Sequence, residues 1–266
     1  MKKLLVTLAF LPLYALSQTS SDSTTTPVKK RGSKFKEEVD NRPKGRNLVK
    51  TNLSSIPIKN YHFTLERGIN KKMSIALSYR FMPSGHIPAE SIVKNLIDND
   101  DVDVTGFTMS NHAITPEFRY YLGKGTLAGV YLSAYARFAK FDVSVPLRYT
   151  YQEGSVKKSE KVNLVGDITS TSGGLMIGSQ FNLGKHMVLD IWIIGAHFGG
   201  SKGNINGSFG RTLSQADQQT LLESLRNTNT NPFSFEYTVT SNNVKVDATG
   251  PWAGVRAAGL NFGFRF

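Results

Sequence analysis

The chain has 266 residues, a net charge of +12 and no cysteine, which excludes disulfides, thiol chemistry and cysteine-bearing zinc sites together. Hydrophobic residues make up a modest 39%, and past the first residues no apolar stretch approaches the ~20 needed to cross a bilayer as a helix. Membrane residence by helices is therefore excluded, whereas a β-barrel hides its lipophilicity in alternation and scores near average.

Lys2 and Lys3 precede a mostly apolar run from Leu4 to Leu16, and Ala15-Leu16-Ser17 sets small residues where a signal peptidase reads. Residues 1–17 are thus expected to be a cleaved signal peptide. No Cys follows the run, so a lipoprotein is not expected. A Ser/Thr-rich stretch comes next, and from Val28 to Lys50 nine Lys or Arg stand against three acids, a net +6. This stretch has no apolar periodicity, so residues 18–46 read as a disordered basic periplasmic linker. Its charge suits a solvated tether, or an arm touching a cell-wall polymer or lipid head groups. Phe35 is the one aromatic among these cations, which gives nucleic acid no stacking platform.

From Asn47 to Phe266 the pattern is of strands. Asn47 to Ile58 is the first, with Pro57 near its end. Tyr61, Phe63 and Leu65 alternate with His62, Thr64 and Glu66 up to a turn at Gly68–Lys72. Met73, Ile75, Leu77, Tyr79 and Phe81 answer, with Leu65 expected opposite Ile75 and Tyr61 opposite Tyr79. The unit recurs. Ile114 to Leu122 leads through Gly-Lys-Gly into a strand from Leu127 to Val145, and Leu175 to Leu183 turns at Gly184-Lys185-His186 into Met187 to Gly199. Long connections separate the hairpins: about 32 residues from Met82, about 29 from Pro146 and about 52 from Gly200. Two carry helix-like pieces, Ile87 to Ile97 and Leu213 to Arg226. The second opens on a capping-box-like Ser214 and Asp217 and has a Leu221, Leu222, Leu225 stripe. The segments around Tyr151–Lys157 and Tyr237–Val246 read as hairpin tips.

The closing segment Leu260-Asn-Phe-Gly-Phe-Arg-Phe266 alternates Leu260, Phe262, Phe264 and Phe266 with Asn261, Gly263 and Arg265. It resembles the assembly signal of Gram-negative outer-membrane proteins. Short turns on one side and long loops on the other are the asymmetry of such barrels, with short turns periplasmic. The expectation is an all-β, eight-stranded antiparallel up-and-down transmembrane β-barrel over residues 47–266, closed by pairing of the final strand with the segment near Asn47. The stretch from Lys50 to Ile69 also resembles an uncharacterised family of small bacterial outer-membrane proteins, a domain of unknown function built as a barrel. The architecture is similar to the outer membrane protein A and outer membrane protein W types. The resemblance implies a fold and a location in the cell outer membrane, but no catalytic residues.

Strand parity points His62, Glu66, Arg80, Glu117, Arg119, Tyr135, Arg137, Asp190 and Arg265 inward. Four Arg against three carboxylates suggests a self-satisfied polar network filling a bore only wide enough for side chains. The same groups could line a narrow solute path. The five His (62, 86, 112, 186, 197) sit in no recognisable catalytic or metal motif, with His112 and His197 expected at the rim. No motif implies a cofactor, and Gly199-Gly-Ser-Lys-Gly-Asn204 lacks the lysine-Ser/Thr step of a phosphate loop. The expected role is structural or in surface binding through the loops. The expected partners are outer-membrane lipid and lipopolysaccharide, the barrel assembly machinery and an extracellular or cell-wall partner. A narrow channel ranks second and an enzyme acting on lipid or peptide third.

Overall fold

The computed structural model describes residues 45–86, 106–153, 156–226 and 232–266. The expected signal peptide, nearly all of the linker and the helix-like piece from Ile87 to Ile97 lie outside these residues.

Among the described residues the chain forms one antiparallel sheet. Its strands are β1 (Asn47–Asn52), β2 (Tyr61–Gly68), β3 (Met73–His86), β4 (Thr108–Tyr121), β5 (Gly129–Glu153), β6 (Val156–Leu183), β7 (Met187–Ser208), β8 (Ser234–Val239) and β9 (Asn243–Arg265). Neighbours run up and down in the order β1-β2-β3-β4-β5-β6-β7-β9-β8, and β1 also pairs with β9, so the sheet closes in a ring. The closing register sets Leu48 opposite Arg265 and Thr51 opposite Phe262. Nine strands stand where eight were expected. The additional one, β8, pairs only with Val244–Thr249 of β9 and takes no part in closure.

Alternation sorts the two faces. Phe63, Leu65, Ile75, Leu77, Phe118 and Leu132 are exposed on the outside, while Thr64, Glu66, Ser74, Ser78, Glu117 and Arg119 are buried within. This is the reverse of a water-soluble sandwich, whose apolar face turns inward.

Several strand ends differ from expectation. β1 stops at Asn52 because its side-chain oxygen accepts from Ser54 Oγ and from the Ser55 amide, both at 2.9 Å, bending the chain into a 3-10 turn at Ile56–Ile58. The β2–β3 register is shifted by two residues from expectation, with Leu65 opposite Leu77 and Phe63 opposite Tyr79. Asn70 is the reason: its side chain accepts from the amides of Lys72 and Met73 at 2.8 and 2.9 Å and holds the turn to Ile69–Lys72. A slip of two leaves every side chain on its own face. The described residues from Pro146 to Gly174 are strand, not loop. β5 and β6 pair without a break from Gly129 opposite Gln180 to Glu153 opposite Val156. The stretch after Gly200 likewise holds the end of β7, helix α1 (Gln215–Arg226), β8 and most of β9. The closing strand therefore begins at Asn243, not near Leu260.

α1 opens on a true capping box. The Asp217 amide donates to Ser214 Oγ at 3.2 Å and the Ser214 amide to Asp217 Oδ2 at 3.4 Å. Ser214 and Arg211, 3.2 Å away, hold the exposed Asp217 carboxyl below its ordinary value. The stripe residues Leu221, Leu222 and Leu225 are half-buried, and the helix packs against β8.

One irregularity decides which side chains enter the bore. Ile193 is an extra residue in β7 relative to β6, and Ile193 and Ile194 are both exposed, at 51% and 56%. On the adjacent β9, Ala258 adopts a left-handed φ of 51°. Before this double bulge Asp190 and Trp192 point inward, as do Asn261 and Gly259; beyond it the inward positions are Gly195 and Arg256.

Candidate functional site

The ring is closed at the end that carries its short turns. The β4–β5 turn folds back into the bore at Leu127, which has φ 47° and is fully buried. Its amide donates to Lys71 O at 3.0 Å, and its carbonyl accepts from Gln180 Nε2 at 2.8 Å and Arg265 Nη2 at 3.4 Å. Leu48, Tyr121, Tyr131 and Val188 pack with it. Leu127 was expected to open a strand; it is a floor instead, and β5 starts two residues later.

Six charges sit above that floor. Lys50 Nζ donates to Glu66 Oε2 at 2.5 Å, Asp190 Oδ2 at 2.6 Å and Gln180 Oε1 at 2.9 Å. Arg119 Nη1 reaches the same Asp190 Oδ2 at 2.7 Å and Glu66 Oε2 at 3.3 Å, while its Nε donates to Glu117 Oε1 at 2.7 Å. The remaining carboxylate lone pairs take neutral donors: Tyr121 OH and Ser74 Oγ to Glu66 Oε1, both at 2.6 Å, and Tyr131 OH to Asp190 Oδ1 at 2.8 Å. Arg256 Nη1 completes the set 3.5 Å from Glu117 Oε2, an ion pair without hydrogen-bond geometry. Three cations meet three carboxylates. Buried charge survives only when paired and hydrogen-bonded; all six charges are paired, and Lys50, Glu66, Glu117, Arg119 and Asp190 are hydrogen-bonded within the network.

Above this network the balance changes. Arg256 is clamped between two rings, its Cζ 4.3 Å from the Trp192 centroid and 4.7 Å from that of Tyr135. His62 stands edge-on to Trp192 at 5.0 Å, and His197 Nδ1 is 3.3 Å from Tyr135 OH. Arg80 donates to Asn111 Oδ1. Arg137, 6% exposed, makes no ion pair among the described residues. The carboxylates nearest the turns leave this tier to its cations.

The inward residues read from the sequence therefore divide. Glu66, Glu117, Arg119 and Asp190 meet in the lower network; His62, Arg80, Tyr135 and Arg137 lie in the upper tier. Arg265 serves the floor, donating to Asn182 Oδ1 at 2.7 Å and to the Thr126 and Leu127 carbonyls. The expected four-Arg, three-carboxylate balance is replaced by one in which Lys50 and Arg256 supply two of the three cations. Lys50 was absorbed into the basic segment, though its parity with Leu48 and Asn52 was a usable signal. Arg256 was hidden by the bulge at Ala258. Of the two His expected at the rim, His197 is half-buried in the bore, whereas His112 faces outward and bonds Tyr79 OH at 2.9 Å. His186 is held in its turn, with Nδ1 3.1 Å from Arg265 O and its ring on Phe264 at 5.4 Å. The segment Leu260, Phe262, Phe264, Phe266 turns its side chains outward, with Phe264 45% and Phe266 58% exposed. His86 has no described side chain.

Chemically, Glu66 and Asp190 are consumed by ion pairs and hydroxyl donors, which leaves neither poised as a general base. Among the described residues no three His, Cys, Asp or Glu side chains are placed to hold a metal ion.

Comparison with curated proteins and with solved structures returns no match. A family does match, over residues 40–202, a shorter span than the expected Asn47 to Phe266. It takes in Lys50, Glu66, Glu117, Arg119 and Asp190 and stops short of Arg256 and Arg265. That span is more than half of the 266 residues, and the chain belongs to the family described as protein of unknown function (DUF3575).

Proposed function

We propose that the chain is an outer-membrane β-barrel, exported by a cleaved signal peptide, whose lumen is blocked at one end and whose role is structural or in surface binding. The observation that carries this reading is the sorting of side chains, with large apolar groups such as Leu65, Leu77, Phe138 and Leu175 exposed outside and charges buried inside. So extensive an exposed apolar face is costly in water. In hydrocarbon it is the required surface, and a closed ring leaves no backbone edge unsatisfied. Eight strands cross and β8 stands outside the bilayer. The turn-bearing floor faces the periplasm. β5 and β6 run 25 and 28 residues, far beyond the ~9–11 that a spanning strand needs. They therefore raise a wall into the exterior, where a binding surface belongs, while β8 and α1 stand beside the far end of β9. Lipid and lipopolysaccharide surround the barrel, and the assembly machinery inserts it.

A narrow channel is the second reading, favoured by the polar tier at His62, Arg80 and Arg137. Fractionation with heat-dependent gel mobility tests the location, and recovery of the chain as a soluble periplasmic protein would overturn it. Steady conductance steps from the purified protein in planar bilayers would favour the channel over the blocked lumen.

A further inference from the structure

We propose that the tier above the six-charge network is a binding site for a phosphomonoester-type oxyanion. This stands on the interior of the ring and does not depend on where the ring resides. The lower network is neutral by itself, so Arg80 and Arg137 are two positive charges with no carboxylate against them among the described residues. Arg80 lies in the field of Arg137 and Arg256, Arg137 in that of Arg256, and His197 feels all three, with no acid among the charges acting on it. Glu117 is engaged below by Arg119 through Oε1, and its Oε2 faces the tier 3.5 Å from Arg256 Nη1, without hydrogen-bond geometry.

The donors are also unused. His62 Nδ1, Arg80 Nε, both terminal nitrogens of Arg256 and Ser172 Oγ are buried without a hydrogen-bond partner. Buried donors of this kind are costly unless something accepts from them. They come from β2, β3, β6 and β9, and register brings them round: His62 faces Arg80 across one strand pair, and Arg137 faces Ser172 across another. A ring of donors converging from several sides fits a tetrahedral oxyanion with several acceptor oxygens better than a carboxylate, which one planar fork satisfies.

The site is built, not incidental. The Trp192 and Tyr135 faces fix the Arg256 plane while leaving both terminal nitrogens without a hydrogen-bond acceptor. Glycine clears room for His197: a Cβ at Gly254 would stand 2.6 Å from its ring, and one at Gly174 would stand 2.7 Å from His197 Cβ.

The test uses the full chain purified in detergent. Titration with inorganic phosphate, against sodium chloride of equal ionic strength, should give saturable calorimetric binding and a raised unfolding temperature. Arg137→Met should weaken phosphate binding roughly tenfold to hundredfold, the effect of losing one charge-assisted hydrogen bond. Lys185→Ala, in an exposed turn, should leave it unchanged. A second arm replaces phosphate with a short-chain phosphatidate. Tighter binding there than by phosphate makes a lipid head group the source of the oxyanion, and binding of phosphate alone makes it a soluble phosphorylated molecule. If wild-type protein binds neither above the chloride control, or if Arg137→Met binds as wild type does, the site is refuted. Should Arg137→Met fail to fold, the wild-type comparison of phosphate with chloride still decides.

Discussion

Arg119 on β4 and Asp190 on β7 meet across the interior of the ring, Nη1 to Oδ2 at 2.7 Å, with both side chains fully buried. Two strands, β5 and β6, lie between them in the sheet, so the pair braces walls that no backbone hydrogen bond connects. Asp190 also takes Lys50 and Tyr131. Asp190→Leu should therefore leave two buried cations short of a partner and destabilise the fold by about 3–5 kcal/mol. Unfolding in urea with detergent measures this. Adding Lys50→Met to Asp190→Leu should recover part of the loss, because the network returns to neutrality. A cost near zero for Asp190→Leu would mean that water reaches the network.

The floor and the network together should block ions. Wild-type protein in planar bilayers is expected to be silent, and the triple variant Lys50→Ala, Glu66→Ala, Leu127→Gly to conduct. The alanine pair removes one charge of each sign, so the folded balance is kept, and glycine at 127, where φ is already 47°, removes the side chain that forms the floor. Equal, steady conductance of both proteins would show that the path never ran through this level.

Close packing at Gly178 gives a steric test. A Cβ there would collide with the Tyr131 hydroxyl and stand 2.8 Å from Ile191 O. Gly178→Ala should push the hydroxyl off Asp190 and cost about 1–3 kcal/mol, as overpacking does. Gly200→Ala is the control, since its nearest neighbour would be 4.0 Å away. Similar unfolding midpoints for the two variants would contradict the described packing at Tyr131.

The antiparallel up-and-down order was legible because period two with turns at Asn70, Gly123–Gly125 and Gly184 is a local signal. So was the inward parity of Glu66, Glu117 and Arg119, which lie on unbulged strands. What the sequence concealed is non-local. The extra residue at Ile193 and the left-handed Ala258 switch faces in mid-strand, and no composition marks either. Leu127 looked like a strand residue because apolar character cannot distinguish a side chain on the outer face from one folded into the bore. Strands β5 and β6 ran past expectation because Pro146 reads as a breaker in β5 and the first half of β6 is rich in Ser, Thr and Lys, which read as loop until a partner strand pairs with them.

Orientation yields the last prediction. The turns at Ile69–Lys72, Gly123–Ala128 and Gly184–His186 share one end of the ring: Leu127 N bonds Lys71 O and Arg265 N bonds His186 O. The β8–β9 turn at Thr240–Asn242 lies at the opposite end, past the pairing of Asn243 with Ser208, and Thr240 Oγ1 and the Asn243 amide close it at 3.1 Å. In the proposed barrel these ends face opposite sides of the outer membrane. A short epitope inserted after Ser241 should be labelled by antibody on intact cells, because Asn242 is exposed and the turn is tied to the chain through the Ser241 and Asn242 carbonyls, which accept from the Leu213 and Phe209 amides. The same epitope after Lys124 should be labelled only once the outer membrane is permeabilised. Labelling of Lys124 but not Ser241 on intact cells would invert the orientation, and it would also put the phosphate-binding tier on the periplasmic side of the floor.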